Sequence, residues 1–194
     1  MTERMQRADA LLVVDVQRDF LPGGSLPVAD GDAIVPVMNR YIEDARHAGL
    51  PVFISRDWHP RNHCSFRAQG GQWPPHCIAG TAGAAFPAEL KLPGDATIIS
   101  KATQPDADAY SAFQNTGLAA LLRQHGVRRL WVGGLATDYC VLNTVCDALK
   151  EGFGVLLLTD AIRAVDVAPG DGQRAESKMK QAGAVPVTAE ELMS

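Results

Sequence analysis

Along the 194-residue chain, short apolar runs alternate with segments of helical period. The runs of strand length are Ala10–Val16, Pro51–Arg56, Ala96–Lys101, Arg129–Leu135, Val155–Thr159 and a shorter Ala184–Val187. Several are apolar throughout, without the in-out alternation of a half-exposed strand. That pattern marks strands covered on both faces, as in a parallel sheet. Between them, Ile34, Val37, Met38, Tyr41, Ile42 and Ala45 recur at helical spacing, with Gly49 as the stop before Pro51. Leu118, Leu121 and Leu122 predict a shorter helix ending near Gly126, and Val141–Leu149 another ending near Gly152. A weakly amphipathic Arg174–Gln181 stops at Gly183. Repeated βα units predict right-handed crossovers and an α/β fold: a three-layer α/β/α, doubly wound, six-stranded parallel sheet, with residues 1–194 as one domain.

One segment breaks the rhythm. From Asp57 to Asp95 the chain shows no convincing period and is rich in Gly, Pro, His, Trp and Gln. A loop this long in a compact domain is usually functional. In open α/β sheets ligands bind beyond the carboxyl ends of the strands, where this loop and the short GGSLP loop after the first strand would lie.

Charge narrows the function classes. Lys plus Arg number 18 against 22 for Asp plus Glu, a formal net charge of -4 with no basic stripe, which argues against nucleic-acid or anionic-membrane binding. The polar start Met1–Arg7 runs into an apolar stretch too short for a membrane span, so a cytoplasmic location is expected. Four scattered cysteines, Cys64, Cys77, Cys140 and Cys146, form no CxxC pair. In a cytosolic chain of this length they are not a disulfide scaffold, and one that matters would act as a thiolate.

Three polar residues fall at strand ends: Asp15 in LLVVDVQ, Lys101 after ATIIS, and Cys140 after WVGGLATDY. Each alone has an ordinary reading, as a cap, a surface lysine or a small buried hydrophobe. Together they would converge on one edge of the sheet. With Thr137 as N-cap, Cys140 would sit one turn into a helix, where the dipole and a neighbouring lysine favour a thiolate. A carboxylate could then shuttle its proton, and amides of the GGLATD turn could face a developing oxyanion. Cys146, six residues on, reads as core.

The loop holds a second constellation. Asp57 and His59, at i and i+2, point the same way if the strand continues, and His76 follows in the stiff WPPHC. Two imidazoles and a carboxylate suit a divalent metal with open positions. His63 is a candidate outer ligand. The competing pattern, a structural zinc site from His63–Cys64 and His76–Cys77, has ligands too close in sequence. Phe20, Trp73 and Tyr110 flank both constellations and suggest a slot for a flat ring.

DVQRDFLPGGSL, RDWHPRNHCSF, WPPHCIAGT, SKA and VGGLATDYCV, in this order between Ala10 and Thr188, resemble the nicotinamidase (pyrazinamidase) branch of the isochorismatase-like cysteine hydrolases. The DWH and WPPH motifs point to that branch. The resemblance implies a strand order 3-2-1-4-5-6 and a catalytic triad of Asp15, Lys101 and Cys140. It implies a cis peptide before Ala136, with the Ala136 and Cys140 amides as oxyanion hole. Asp57, His59 and His76 would hold zinc, with iron or manganese as alternatives, and the fourth position falls to His63, Ser65 or water. Phe20, Leu26, Trp73 and Tyr110 would line the ring pocket, with Tyr139 at a variable position. The implied substrates are nicotinamide or pyrazinamide in NAD salvage, and assembly into a homo-oligomer is left open. The alternatives are a related amidase acting on a carbamoyl or linear amide, a non-haem iron oxygenase using Asp57, His59 and His76, and a non-catalytic binding module.

Overall fold

The computed structural model describes residues 4–192, so the first residues of Met1–Arg7 and the outer limits of the expected 1–194 domain lie outside the described residues. The strands are β1 (Asp9–Val14), β2 (Val52–Asp57), β3 (Thr97–Lys101), β4 (Arg129–Leu135), β5 (Gly154–Arg163) and β6 (Val185–Val187). They form one sheet in the order β3-β2-β1-β4-β5-β6, every neighbouring pair parallel. The helices are α1 (Ile34–His47), α2 (Leu118–Gln124), α3 (Leu142–Lys150), α4 (Asp171–Ala182) and a single turn, α5 (Ala189–Leu192).

The central strand explains the layering. Residues of β1 alternate between two apolar clusters. Leu11 and Val13 join Ile34, Met38 and Tyr41 of α1. Leu12 and Val14 join Leu118 and Leu122 of α2, Val145 of α3 and Met179 of α4. All six β1 residues are therefore buried, which is why this strand reads as a continuous apolar run.

Three local expectations change, and one short helix is added. β5 runs on to Arg163 through Thr159 and Asp160, because the Asp160 carboxylate is paid off locally: it accepts from Tyr41 Oη (2.8 Å) and from the Ala189 amide (2.8 Å). Thr137 is not an N-cap. Residues Thr137–Val141 form a π turn flanked by extended Ala136, and the amides of Tyr139 and Val141 both donate to the Ala136 carbonyl (3.1 Å each). Cys146 is only half-buried, since α3 turns Thr144, Val145 and Ala148 inward and leaves Cys146 beside Lys150 and Lys178. Finally, α5 is too short to show a period. The long loop is irregular as expected, apart from a 3-10 turn at Arg67–Gln69. No helix among the described residues is long and apolar enough to cross a membrane.

Candidate active site

Parallel register assembles the site. Asp57 and Lys101 are direct partners across β2 and β3. One residue beyond β1, Asp15 takes a left-handed conformation (φ 46°), and its amide donates to the Ser55 carbonyl (3.2 Å). Ser55 Oγ donates to Asp15 Oδ1 at 2.6 Å. Opposite, Gly134 lies so close to β1 that a Cβ there would sit 2.0 Å from the Val14 carbonyl oxygen. That approach sets the turn carrying Cys140 against Asp15. The Leu135–Ala136 peptide is cis.

Lys101, fully buried, is the hub. Its Nζ donates to Asp57 Oδ1, to the Ala109 carbonyl (3.2 Å) and to Cys140 Sγ (3.4 Å). It lies 2.9 Å from Asp15 Oδ2 but off the angle a hydrogen bond needs. Among the described residues, that oxygen is the buried side-chain polar atom without a hydrogen bond. The carboxylates of Asp15 and Asp57 and the Cys140 sulfur lie within 4.8 Å of one another.

The electrostatics follow from two acids and one base in a dry place. Burial pulls the Lys101 ammonium down, but Asp15 and Asp57 outweigh it and hold its pKa well above the ordinary lysine value. Burial pushes Asp57 up, and the charge and hydrogen bond of Lys101 reverse that and hold it low. Asp15 has no such surplus of help, and burial raises its carboxyl above the ordinary range despite Lys101. Burial likewise raises the Cys140 thiol well above its usual value, only partly opposed by Lys101. Desolvation therefore works against the thiolate that Lys101 favours.

The predicted metal ligands come together: Asp57, His59 and His76 offer atoms within 4.8 Å of one another, all buried. His59 Nδ1 meets the His76 carbonyl (3.0 Å) and His76 Nδ1 meets the Pro74 carbonyl (2.8 Å). A carbonyl can only accept, so both Nδ1 atoms carry the hydrogen and both Nε2 lone pairs are free. His59 Nε2 lies 3.8 Å from Asp57 Oδ1. Burial lowers the His59 pKa to about 4, so the ring is neutral. This donor set fits a divalent metal of the zinc type.

His63 is not free in the same way. Its Nε2 faces the Ala107 carbonyl (3.3 Å) and its Nδ1 is paired with Ser65 Oγ (2.8 Å). Ser65, and not His63, lines the cavity. Among the described residues no ligand cluster contains Cys64 or Cys77, which removes the cysteine–histidine zinc alternative. The parallel doubly wound sheet argues against the non-haem iron oxygenase alternative, whose usual scaffold is a double-stranded β-helix.

Cys140 and the three predicted metal ligands line one narrow cavity. The expected pocket residues Phe20, Leu26, Trp73 and Tyr110 line it, together with Tyr139 and Ala136. Asp15 and Lys101 do not line it, and Lys101 touches the lining residues Asp57 and Cys140. Trp73 Nε1 donates to Tyr110 Oη (3.1 Å), and Tyr139 packs edge-on to Trp73 (5.1 Å between centroids).

Sequence reasoning missed several contributors. Val28, Asp108, Ala109 and Val165 also line the cavity. Gln17 clamps the end of β2: its Nε2 donates to the Asp57 carbonyl (2.8 Å) and its Oε1 accepts the Asp57 amide (2.8 Å). Asp19, buried, accepts the Cys77 amide next to His76 (2.7 Å). Both stand in the polar DVQRDF stretch, which was the available signal, but their partners lie 40 and 58 residues away.

The Isochorismatase domain profile matches residues 9–191. A nicotinamidase from Escherichia coli (strain K12) is 41% identical over 196 residues, covering 90% of this chain and 92% of that protein. The zinc complex of a Pyrococcus horikoshii pyrazinamidase superposes with a TM-score of 0.90 at 51% identity, covering 93% of this chain and 99% of that one. PnC1 from L. infantum, in complex with nicotinate, superposes with a TM-score of 0.87 at 39% identity, covering 98% of both chains.

Proposed function

This chain belongs to the isochorismatase-domain family, and from that premise we propose that it is a metal-dependent cysteine amidohydrolase that converts nicotinamide to nicotinate and ammonia, and accepts pyrazinamide. The observation that carries this reading is one cavity with two chemistries in its wall: Cys140 backed by Lys101 and Asp15, and Asp57, His59 and His76 with both Nε2 atoms free. The first attacks a carboxamide, the second suits a ring nitrogen, and a flat aromatic slot joins them.

Asp57, His59 and His76 would hold the metal, zinc in first place with iron or manganese as alternatives. Ser65, which lines the cavity, would be the fourth protein ligand, since both nitrogens of His63 are already engaged. When bound, the ion supplies a Lewis-acid anchor that orients the ring.

The protein's own groups carry the proton. The Cys140 thiol passes its hydrogen to Asp15 Oδ2, the oxygen that lacks a hydrogen bond, while Lys101 stays charged between the two. The Cys140 sulfur forms a bond to the carboxamide carbon, and the Ala136 and Cys140 amides receive the oxyanion. As the carbon–nitrogen bond breaks, Asp15 returns the proton and ammonia leaves. Asp15 then takes a proton from water, hydroxide adds to the thioester, and the proton returns to the sulfur as nicotinate departs.

Residues 1–194 act as one hydrolase domain on a small-molecule amide, in the cytoplasm and in NAD salvage. The test is ammonia release from nicotinamide, with mass spectrometry of a quenched reaction. Wild type releases ammonia and carries an acyl adduct on Cys140, whereas Cys140→Ala does neither. Substantial turnover by Cys140→Ala removes the nucleophile from the scheme. Full turnover by protein stripped of metal favours the related amidase acting on a linear amide.

A further inference from the structure

We infer that Asp138 is a positioning residue that ties the nucleophile turn to the opposite wall of the ring cavity and so sets which carboxamide rings fit; this rests on the amidase reading above. Asp138 lies two residues before Cys140 in the π turn but does not line the cavity. Its Oδ1 accepts the Val165 amide at 2.9 Å and its Oδ2 the Asp166 amide at 2.9 Å. Val165 is what the connection between β5 and α4 contributes to the cavity wall.

That connection is a body of its own. Asp166 is left-handed (φ 52°), and its Oδ1 accepts the Gly172 amide at 2.8 Å. The Ala168 amide donates to Asp171 Oδ2 (2.8 Å), and the Asp171 amide returns to the Ala168 carbonyl (3.1 Å). A Cβ at Gly172 would come within 2.6 Å of Ala164 Cβ. Residues 164–172 are thus held together at the start of α4, and two charge-assisted bonds from one carboxylate fix this body to the turn bearing Cys140. Removing them lets Val165 shift relative to Cys140 while each side keeps its own structure. A shift of an ångström at such a wall changes which ring is held in line for attack.

The experiment uses the metal-loaded enzyme with Asp138→Ala and Asp138→Asn. Hydrogen exchange is measured across 164–172, and kcat and KM are measured for nicotinamide and a ring-methylated nicotinamide. In D138A the Val165 and Asp166 amides exchange faster by about tenfold or more while Gly172 stays protected. KM for nicotinamide rises roughly tenfold, kcat changes by less than about threefold, and the preference for the unmethylated ring falls roughly tenfold. D138N keeps one acceptor and turns an NH2 toward the other amide, so its exchange and KM fall between wild type and D138A. Unchanged exchange at Val165 and Asp166, an unchanged ring preference, or a loss confined to kcat overturns the inference. If D138A does not fold, Val165→Ala decides the specificity arm: it leaves the tether in place, and an unchanged ring preference refutes the role of this wall. A wild-type enzyme that releases no ammonia from either carboxamide refutes the amidase reading alone, since the exchange arm still decides whether Asp138 holds the wall.

Discussion

Both ends of β1 carry a buried aspartate, and the two are treated oppositely. At the start of the strand, Asp9 accepts from Arg129 Nε (3.0 Å) and Nη2 (2.8 Å), from Trp131 Nε1 (2.9 Å) and from the Gln6 amide (2.9 Å). Just past its other end, Asp15 shares one ammonium with Asp57, and its Oδ2 has an ion-pair contact without a hydrogen bond. Burial is alike; satisfaction is not. A fully bonded carboxylate holds elements together. One left short of a hydrogen bond beside a buried thiol is arranged to take a proton.

The largest effect that would test this contrast is at Cys140. Cys140→Ala and Asp15→Asn should each lower kcat/KM for nicotinamide by about 10⁴-fold or more, with melting temperatures close to wild type. Ammonia release and calorimetry measure the two quantities. An active Cys140→Ala would erase the distinction between the ends, because the unsatisfied acid would then serve no proton transfer.

The next effect separates the two halves of the site. His76→Ala leaves Cys140, Lys101 and Asp15 in place but removes a free Nε2. Bound metal, measured by elemental analysis, should fall to a small fraction of one ion per chain, and kcat/KM should drop about 10²-fold or more. His63→Ala should keep most of the metal, since both nitrogens of His63 are already engaged. Equal metal loss in both variants would move His63 into the ligand set.

How far this was legible in the sequence differs between the same regions. Strand β4 was read at its observed bounds, Arg129–Leu135, because an apolar run buried on both faces leaves an unbroken signature. The candidate site residues were legible as reactive types at or near strand ends, Asp15, Asp57, Lys101 and Cys140, and as the histidines His59 and His76 of the long loop. What escaped depends on distant partners or on backbone shape. Gln17 and Asp19 gain their meaning from Asp57 and Cys77. The π turn at Thr137–Val141 comes from bonds to the Ala136 carbonyl, which no side-chain period reports. The burial that raises the Cys140 thiol against the help of Lys101 comes from packing, which residue spacing does not report.

At the other end of β1 the expected effect is on stability alone. Asp9→Ala removes the acceptor shared by Arg129, Trp131 and the Gln6 amide, and leaves Trp131 Nε1 buried without a partner. Breaking such a buried pair costs about 3 kcal/mol, a fall of roughly 6–12 °C in Tm for a chain of this size. Activity per folded molecule should be unchanged at 25 °C. A loss of kcat in the folded fraction would show that this end also serves the reaction.

The smallest effect probes redundancy. Trp131→Phe keeps an aromatic ring in the fully buried position and deletes one donor to Asp9 Oδ2. That oxygen still accepts from Arg129 Nη2 and the Gln6 amide, so no buried acceptor is stranded. The cost is then one net hydrogen bond plus a small void, about 1–2 kcal/mol, visible as a modest drop in Tm. Compared with Asp9→Ala, the difference measures what multiple donors protect. Position 131 lies on β4, whose far end leads through Leu135 into the turn of Cys140. A strand paired along its length with β1 should absorb a change at its start without moving its end. Steady-state kcat/KM therefore stays at the wild-type value, and a change of more than about twofold would mean that the two ends are coupled through β4.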